Sequence, residues 1–287
     1  MSIASPTGWA CGWNREATIT GGLAPRRIAI ADPVRILPTR YIQQGQALGR
    51  ALSDRGIEAD GRDGGGWVNG NAGGGSGSVV VPSVARTYDR WAATYERRWR
   101  HYTDVTLGVL LDHLAPDRYR AILDVGCGTG TLLARLHDRA PWAHLWGIDV
   151  SAGMLGVARA TLRGVDVDLW HGTASHLPLA DRSVDLVTMA SMLHYLRRPS
   201  VACAEARRVL RPGGVLAIVD YRPRVGAGSV TDGLIRLYDR GHVRSRDVRE
   251  AHAILGAAGL AVTHMHSFAI DRICAGILVM AASSPQS

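Results

Sequence analysis

The chain contains no lysine, and all 33 of its basic residues are arginine. Phenylalanine occurs once, and cysteine four times in 287 residues. The spacing of Cys11, Cys127, Cys203 and Cys274 predicts neither a disulfide framework nor a zinc site, and we expect no metal. Reduced cysteines fit a cytoplasmic location, which is our expectation. The missing lysine, beside abundant Ala and Gly, is typical of a GC-rich coding sequence and carries no function by itself.

Long apolar runs are also missing. The longest candidate, Ile273 to Ala282, is too short to cross a bilayer and suits a buried strand. The first residues lack a basic stretch followed by an apolar core, so no secretory signal is predicted.

The net charge is +8. The arginines are scattered, as in Arg97–Arg98 and Arg207–Arg208, which is typical of solvated helix faces rather than a nucleic-acid stripe. We therefore expect no specific nucleic-acid partner. A small or lipid-like substrate and a peripheral contact with a membrane surface stay open, and the oligomeric state is not predicted.

Two regions differ in composition. Residues 1–82 lack sustained periodicity, and Gly61 to Ser78 is dominated by Gly, Ser and Asn, so we expect a disordered, low-complexity extension with at most a short helix near Tyr41 to Arg55. Residues 83–287 are regular and are predicted to be one domain.

Strands and helices alternate in the second region. After helices over Val84 to His101 and Val105 to Leu114, the pattern predicts four strands at 121–125, 144–149, 167–171 and 184–190, with helices over 130–139 and 152–162 after the first two. A helix over 199–210 and a fifth strand at 215–220 come next, and a helical stretch over 245–258 leads to a closing pair of strands at 260–268 and 273–281. This order indicates an α/β fold with a mostly parallel sheet and helices on both faces. Ligands bind such sheets at the carboxyl ends of the strands.

The most informative motif runs from Asp124 to Gly130, Asp-Val-Gly-Cys-Gly-Thr-Gly, between a predicted strand and a predicted helix. Glycines at alternate positions allow a tight turn and a close approach of the backbone to a ligand. The following helix offers free N–H groups to an anionic group. Thr131 stands where the dinucleotide fingerprint needs its third glycine, and no Walker lysine follows. A nucleotide-type cofactor is therefore predicted.

Asp149 ends the second strand, about 20 residues after the glycine turn, where an acid can accept hydrogen bonds from the ribose hydroxyls of an adenosine cofactor. Dehydrogenases bind the ribose of their cofactor with an acid at the same place. Asp149 therefore predicts that the cofactor contains adenosine, but not which adenosine cofactor it is.

Together these motifs resemble the class I S-adenosylmethionine (SAM)-dependent methyltransferases, of the methyltransferase type 11 and ubiquinone/menaquinone-biosynthesis kind. Three further segments support the resemblance: Tyr88 to Tyr95, Gly172 to Leu179, and Leu210 to Gly214. It covers roughly residues 83–287. It implies a Rossmann-like, seven-stranded, mostly parallel sheet with a C-terminal antiparallel hairpin, and SAM as cofactor.

The resemblance also implies roles for individual residues. The glycines of the turn admit the methionine moiety, with Asp124 near its amino end, while Thr173, Ala174 and Leu177 cup the adenine. Thr173 departs from the family pattern, which has Asp there, so SAM affinity is expected to be lower. The full set of expected cofactor-binding residues is Asp124, Gly126, Cys127, Gly128, Gly130, Asp149, Val150, Met154, Thr173, Ala174, Leu177 and Ala190.

On the acceptor side, the helix carrying Tyr88 and Tyr95 is expected to form a lid, and Tyr195 and Tyr221 to face substrate. His194 follows the fourth strand, where the methyl group meets its acceptor in this family. Its ordinary pKa lies near neutrality, so it is a candidate general base; the alternative is a histidine that packs near the cofactor.

These features predict a SAM-dependent methyltransferase that acts on an oxygen, nitrogen or carbon nucleophile by in-line displacement. The segment after the fourth strand lacks the Asn/Asp-Pro-Pro-Tyr/Phe motif of enzymes that methylate nucleic-acid amino groups. Two alternatives stay open: a nicotinamide-dependent oxidoreductase, and a module that binds SAM without turnover.

Overall fold

A computed structural model describes residues 82–223, 242–271 and 274–283. The predicted N-terminal extension, including Cys11 and the short helix near Tyr41 to Arg55, lies outside the described residues. Within the described part, no helix is long and apolar enough to cross a membrane.

The described elements follow the predicted alternation. The helices are α1 (Pro82–Trp91), α2 (Tyr95–His113), α3 (Thr131–Arg139), α4 (Ala152–Thr161), α5 (Pro199–Val209) and α6 (Val248–Ala257). The strands are β1 (Ala121–Val125), β2 (His144–Asp149), β3 (Val167–His171), β4 (Val184–Ala190), β5 (Leu210–Pro223), β6 (Leu260–Ala269) and β7 (Cys274–Ser283). Short 3₁₀ turns cover Ala92–Thr94, Pro116–Arg118 and Leu193–Tyr195.

The seven strands form one sheet in the order β3-β2-β1-β4-β5-β7-β6. Strands β1 to β5 are parallel to their neighbours, and β7 runs antiparallel to both β5 and β6. This confirms the predicted Rossmann-like sheet with an antiparallel hairpin at its C-terminal side. The strand order reverses between β1 and β4, so a crevice opens at the carboxyl ends of these two strands.

The central strands are buried on both faces. Every residue of β1 is buried, with Ile122 packing into one apolar cluster and Leu123 into another on the opposite face. The first cluster includes Leu133 of α3, and the second includes Cys203 of α5. Strands buried on both faces carry continuous apolar runs, which explains why β1 and β4 are readable from the sequence.

Capping residues set where several helices begin. Ser151 accepts the N–H of Met154 (3.1 Å) and starts α4. Asp247 and Glu250 form a capping box, so α6 starts at Val248, three residues later than the pattern predicts. The N-terminal helical region is also interrupted earlier than predicted, at Ala92–Thr94, while α2 continues without a break to His113.

Candidate functional site

A cleft lies at the carboxyl ends of β1, β2 and β4. Most of its wall is apolar or aromatic, and Asp149 is its charged member among the described residues. The lining residues are Val84, Tyr88, Tyr95, Val125, Gly126, Gly128, Ile148, Asp149, Val150, Met154, Gly172, Ala174, Ala190, Ser191, Met192, Tyr195 and Leu196.

The glycine turn forms one wall of this cleft. Gly126, Gly128 and Gly130 all have positive φ, at 75°, 53° and 80°, a conformation that glycine adopts without strain. A Cβ on Gly126 would lie 3.2 Å from the sulfur of Met192, which lines the same cleft. The turn is anchored to β2, because the N–H groups of Gly126 and Cys127 both donate to the carbonyl of Ile148 (2.8 and 3.1 Å).

Two residues of the glycine motif lie behind the wall rather than in it. Cys127 is buried, and burial raises the pKa of its thiol well above the ordinary value. Gly130 is the residue before α3, and a Cβ there would lie 2.8 Å from Leu162. Their roles in the motif are therefore in packing and turn geometry, and contact with a cofactor stays a prediction for both.

Asp149 lies beside the glycine turn, and two backbone donors fix its carboxylate. The N–H of Gly128 donates to one oxygen (2.8 Å) and the N–H of Ser151 to the other (2.9 Å). Burial raises the pKa of Asp149, and these two hydrogen bonds oppose the rise. Each carboxylate oxygen keeps a second lone pair, so the group can still accept a ribose hydroxyl.

Asp124 does not line the cleft. It is 1% exposed and lies at the end of β1, where its carboxylate accepts the hydroxyl of Thr188 on β4 (2.7 Å). Burial raises its pKa to about 7, and the neighbouring charge of Asp149 adds to the rise while the Thr188 bond opposes it. Asp124 therefore joins β1 to β4 directly beneath the glycine turn.

The predicted adenine side is only partly brought to the cleft. Val150, Met154, Ala174 and Ala190 line it. The hydroxyl of Thr173 bonds instead with that of Ser175 (2.7 Å).

Leu177, the other residue predicted to cover the adenine, is 1% exposed and belongs to the core, and its N–H donates to Glu205 (2.9 Å). Contact with adenine stays a prediction for Thr173 and Leu177.

Three of the four predicted tyrosines meet in the wall of the cleft. The rings of Tyr95 and Tyr195 lie 5.8 and 5.5 Å from that of Tyr88. The hydroxyls of Tyr88 and Tyr195 are hydrogen-bonded (2.6 Å). Tyr221 lies away from this group and bonds through its hydroxyl with His242 (2.9 Å).

His194 lies behind the cleft wall, with its ring 4.0 Å from that of Tyr195. It is 4% exposed and forms a pair with Asp220, at the carboxyl end of β5. Nδ1 lies 2.6 Å from one carboxylate oxygen, and the His194 backbone N–H donates to the other (3.0 Å). Because a carboxylate only accepts, this geometry places the Nδ1 proton toward Asp220 and leaves Nε2 as the basic nitrogen.

Sequence reasoning missed part of the wall. Ser191 follows β4 with a positive φ of 57°, and its hydroxyl bonds with that of Tyr102 (2.8 Å). Burial raises the pKa of Tyr102 well above its ordinary value, so it stays a neutral phenol. Nothing in the local sequence indicates that Ser191 adopts a left-handed backbone conformation. Met192 and Gly172, in contrast, follow predicted strands, and that position alone could have identified them as residues of the cleft wall.

Comparison with known proteins supports this arrangement. Residues 123–218 match the family described as Methyltransferase domain. This part of the chain is a class I SAM-dependent methyltransferase domain. The matched region holds the glycine turn, Asp149 and His194, and SAM is the cofactor of this class.

Curated relatives of the methyltransferase domain carry different acceptor names. The chain is 40% identical over 140 residues to a malonyl-[acyl-carrier protein] O-methyltransferase of Dechloromonas aromatica, covering 49% of this chain and 48% of the relative. It is 40% identical over 150 residues to a ubiquinone/menaquinone biosynthesis C-methyltransferase of Dinoroseobacter shibae, covering 50% and 57%. The chain thus spans about half the length of the curated relatives it matches.

Solved structures show the same fold as the methyltransferase domain. A [4+2]-cyclase superposes with a TM-score of 0.60 at 19% identity, over 71% of this chain and 96% of that one. A SAM-dependent methyltransferase from Thermotoga maritima superposes with a TM-score of 0.56 at 21% identity, over 69% of this chain and 99% of that one. Since one of these proteins is named a cyclase, the fold does not decide the reaction, and the site has to be argued on its own residues.

Proposed function

We propose that the protein transfers a methyl group from SAM to a small or lipid-like acceptor. One observation carries the proposal: a single cleft joins a cofactor half, with the glycine turn and Asp149, to a tyrosine-walled half. SAM supplies an electrophilic methyl group on a sulfonium, so the protein needs mainly to orient an acceptor and exclude water.

The residues of the first half fit SAM. Gly126 and Gly128 expose backbone where a side chain would intrude, and Asp149 offers oriented acceptor oxygens for a ribose. Val150, Met154 and Ala174 supply an apolar surface for an adenine ring. No arginine lines this part of the described cleft, so a ribose 2′-phosphate finds no partner there, in contrast to an NADP site.

The second half favours an apolar or aromatic acceptor that is uncharged near the reacting atom. Tyr88, Tyr95 and Tyr195 provide ring faces with hydroxyls at their edges, and Met192 and Leu196 complete an apolar wall. A phosphate or free carboxylate placed here would lose its water without gaining a cation. The two curated relatives act, by their names, on a malonyl carrier and on quinones, which supports an oxygen or carbon acceptor.

His194 is the proposed general base, oriented by Asp220. Hydroxyl and C–H acceptors lose a proton when the sulfonium methyl is transferred to them and the S–CH₃ bond breaks, and Nε2 of His194 can take it. Asp220 holds the ring through Nδ1 and stabilises the imidazolium that forms.

The cofactor is tested by calorimetric titration of SAM and S-adenosylhomocysteine into the full chain, beside Asp149→Ala. We expect micromolar binding that weakens at least tenfold in the variant, about 1.4 kcal/mol. Asp168→Ala, an exposed acid on β3, is the matched control and should bind like wild type. If the chain bound neither ligand but bound NAD, the methyltransferase proposal would fail and a nicotinamide-dependent oxidoreductase would take its place.

Turnover is tested with methyl-labelled SAM and a panel of hydroquinones, phenols, carboxylic acids and secondary amines. His194→Gln should lower kcat by about 10²- to 10⁴-fold with a phenol or hydroquinone, whose acceptor must lose a proton, and leave SAM affinity unchanged. His252→Gln, on the exposed face of α6, is the control. Tight SAM binding without transfer to any member of the panel would favour a binding module.

A further inference from the structure

Two Tyr–acid pairs lie on the helices that cover the cleft. Tyr88 and Asp89 are on α1, and Tyr95 and Glu96 begin α2. Both tyrosines line the cleft, whereas both carboxylates contact the methyltransferase domain. We call α1 and the first turn of α2 the lid helices, and the two acids are their polar attachments to the cofactor half of the site.

Asp89 binds the start of α4. Its Oδ1 accepts the hydroxyl of Ser151 (2.6 Å) and the N–H of Gly153 (2.9 Å). The positive end of the α4 dipole favours a carboxylate at this place. The lid helix α1 is thereby fixed to the helix that follows Asp149.

Glu96 binds the start of α3. Its Oε1 accepts the hydroxyls of Thr129 and Thr131, the latter at 2.8 Å. Thr129 is 3% exposed and lies between Gly128 and Gly130, so this acid reaches into the glycine turn itself.

The two attachments converge on Asp149. The donors that orient its carboxylate are the N–H groups of Ser151 and Gly128. Ser151 is bound by Asp89, and Gly128 is followed directly by Thr129, which is bound by Glu96.

We propose that Asp89 and Glu96 are positioning residues that fix the donors of Asp149, so that docking of the lid helices and formation of the ribose site are one event. This rests on the proposed function only in taking Asp149 as the ribose acceptor. Cofactor affinity and lid docking are then coupled: a variant that loosens the lid weakens cofactor binding although it touches no cofactor atom.

Gly153 provides a second, independent way to disturb this contact. A Cβ there would lie 3.0 Å from Cα of Asp89 and 3.2 Å from its carbonyl oxygen. These are backbone atoms, so the lid helix itself would have to move by a few tenths of an ångström. Gly156, in the same helix, has open space at the same position, which makes it a matched control.

The experiment compares Gly153→Ala with Gly156→Ala in the full chain. Alanine is the better helix former at both positions, so neither change should lower the urea midpoint of unfolding. We expect Gly153→Ala to weaken S-adenosylhomocysteine binding at least fivefold and Gly156→Ala to leave it within twofold. If the contact at Gly153 were purely structural, Gly153→Ala would instead change the urea midpoint and the affinity for S-adenosylhomocysteine together.

Side-chain variants complete the test. Asp89→Ala and Glu96→Ala should each weaken S-adenosylhomocysteine at least fivefold, and Asp89→Asn, which keeps an acceptor oxygen, should recover most of the loss. Asp104→Ala, which removes an exposed ion pair between α2 and Arg135, is the control. Wild-type affinity in Gly153→Ala, Asp89→Ala and Glu96→Ala would overturn the proposal.

Failure of the proposed function has a different signature. If the wild-type protein binds no S-adenosylhomocysteine, the cofactor assignment fails, and hydrogen exchange still decides the positioning role. Asp89→Ala should then raise exchange at the amide of Ser151, and Asp104→Ala should not. Unchanged exchange in both variants would overturn the proposal on its own.

Discussion

Replacing Asp124 by asparagine should change the stability of the protein by an amount that depends on pH. The carboxyl group is buried and its pKa is raised to about 7, whereas an unfolded chain restores the ordinary value of 3.8. Below about pH 4 the carboxyl group is protonated in both the folded and the unfolded state, so its titration does not change the free energy of unfolding. As pH rises toward 7 the unfolded state loses the proton first, so the folded state becomes progressively less stable; above 7 the difference is constant.

The size of the effect follows from linkage. Each pH unit within this window destabilises the folded state by about 1.4 kcal/mol. Between pH 5 and pH 8 the wild-type protein should therefore lose about 3 kcal/mol that Asp124→Asn does not lose. An unpaired amide hydrogen in the variant costs about 1–3 kcal/mol, but that cost is the same at every pH and cancels in the comparison.

Urea unfolding at pH 5, 6, 7 and 8 without cofactor measures the difference. Asp138→Asn, an exposed carboxyl on α3, is the control and should give parallel curves. If the stability difference between Asp124→Asn and wild type is the same at all four pH values, the burial argument for Asp124 is refuted.

Two further predictions concern the frame of the site. Gly130→Ala should destabilise the fold by more than Gly164→Ala, because both glycines have positive φ but only a Cβ on Gly130 meets Leu162; we expect an excess of about 1–3 kcal/mol in urea unfolding, and equal losses would contradict the packing argument. Arg246→Leu should cost about 3 kcal/mol or more, since this buried side chain donates to the carbonyls of Leu193 and Leu196, at the two ends of the segment that carries His194. Its control is Arg249→Leu on α6, which should change the unfolding free energy by less than about 0.5 kcal/mol.

The centre of the sheet could be predicted from the sequence because strands such as β1 and β4 are largely buried on both faces and give continuous apolar runs. The bounds of β1, β2, β3 and β4 agree with the structure to the residue, although β3 lies at the sheet edge and is partly exposed. The boundary of α6 was missed because Asp247 and Glu250 cap each other, which overrides the apolar period. The glycine turn was readable because its spacing is specific.

The acceptor half of the site was less readable. His194 lies in the turn after β4 and Asp220 on β5, and neither segment of sequence indicates that these two strands are neighbours in the sheet. The contacts of Asp89 and Glu96 were missed for a related reason: acids on an amphipathic helix look solvent-facing until the partner helix is known. Tertiary hydrogen bonds of this kind leave no periodic signal.

The place of β7 in the sheet has a consequence for how the chain folds. This strand separates β5 from β6, and its pairs with β5 run from Pro223–Cys274 to Val215–Ala282, so they join residues 51 to 67 positions apart. The β1–β4 pairs close over a similar span, as in Ile122–Leu186, whereas β1 and β2 close over a much shorter one. Because β6 is the edge strand and joins the sheet through β7, we expect β6 never to be protected before β7 during refolding. Pulsed hydrogen exchange would show this order, and early protection of β6 alone would contradict it. The β1–β2 pair beside the glycine turn can therefore form while the other edge of the sheet is still unpaired.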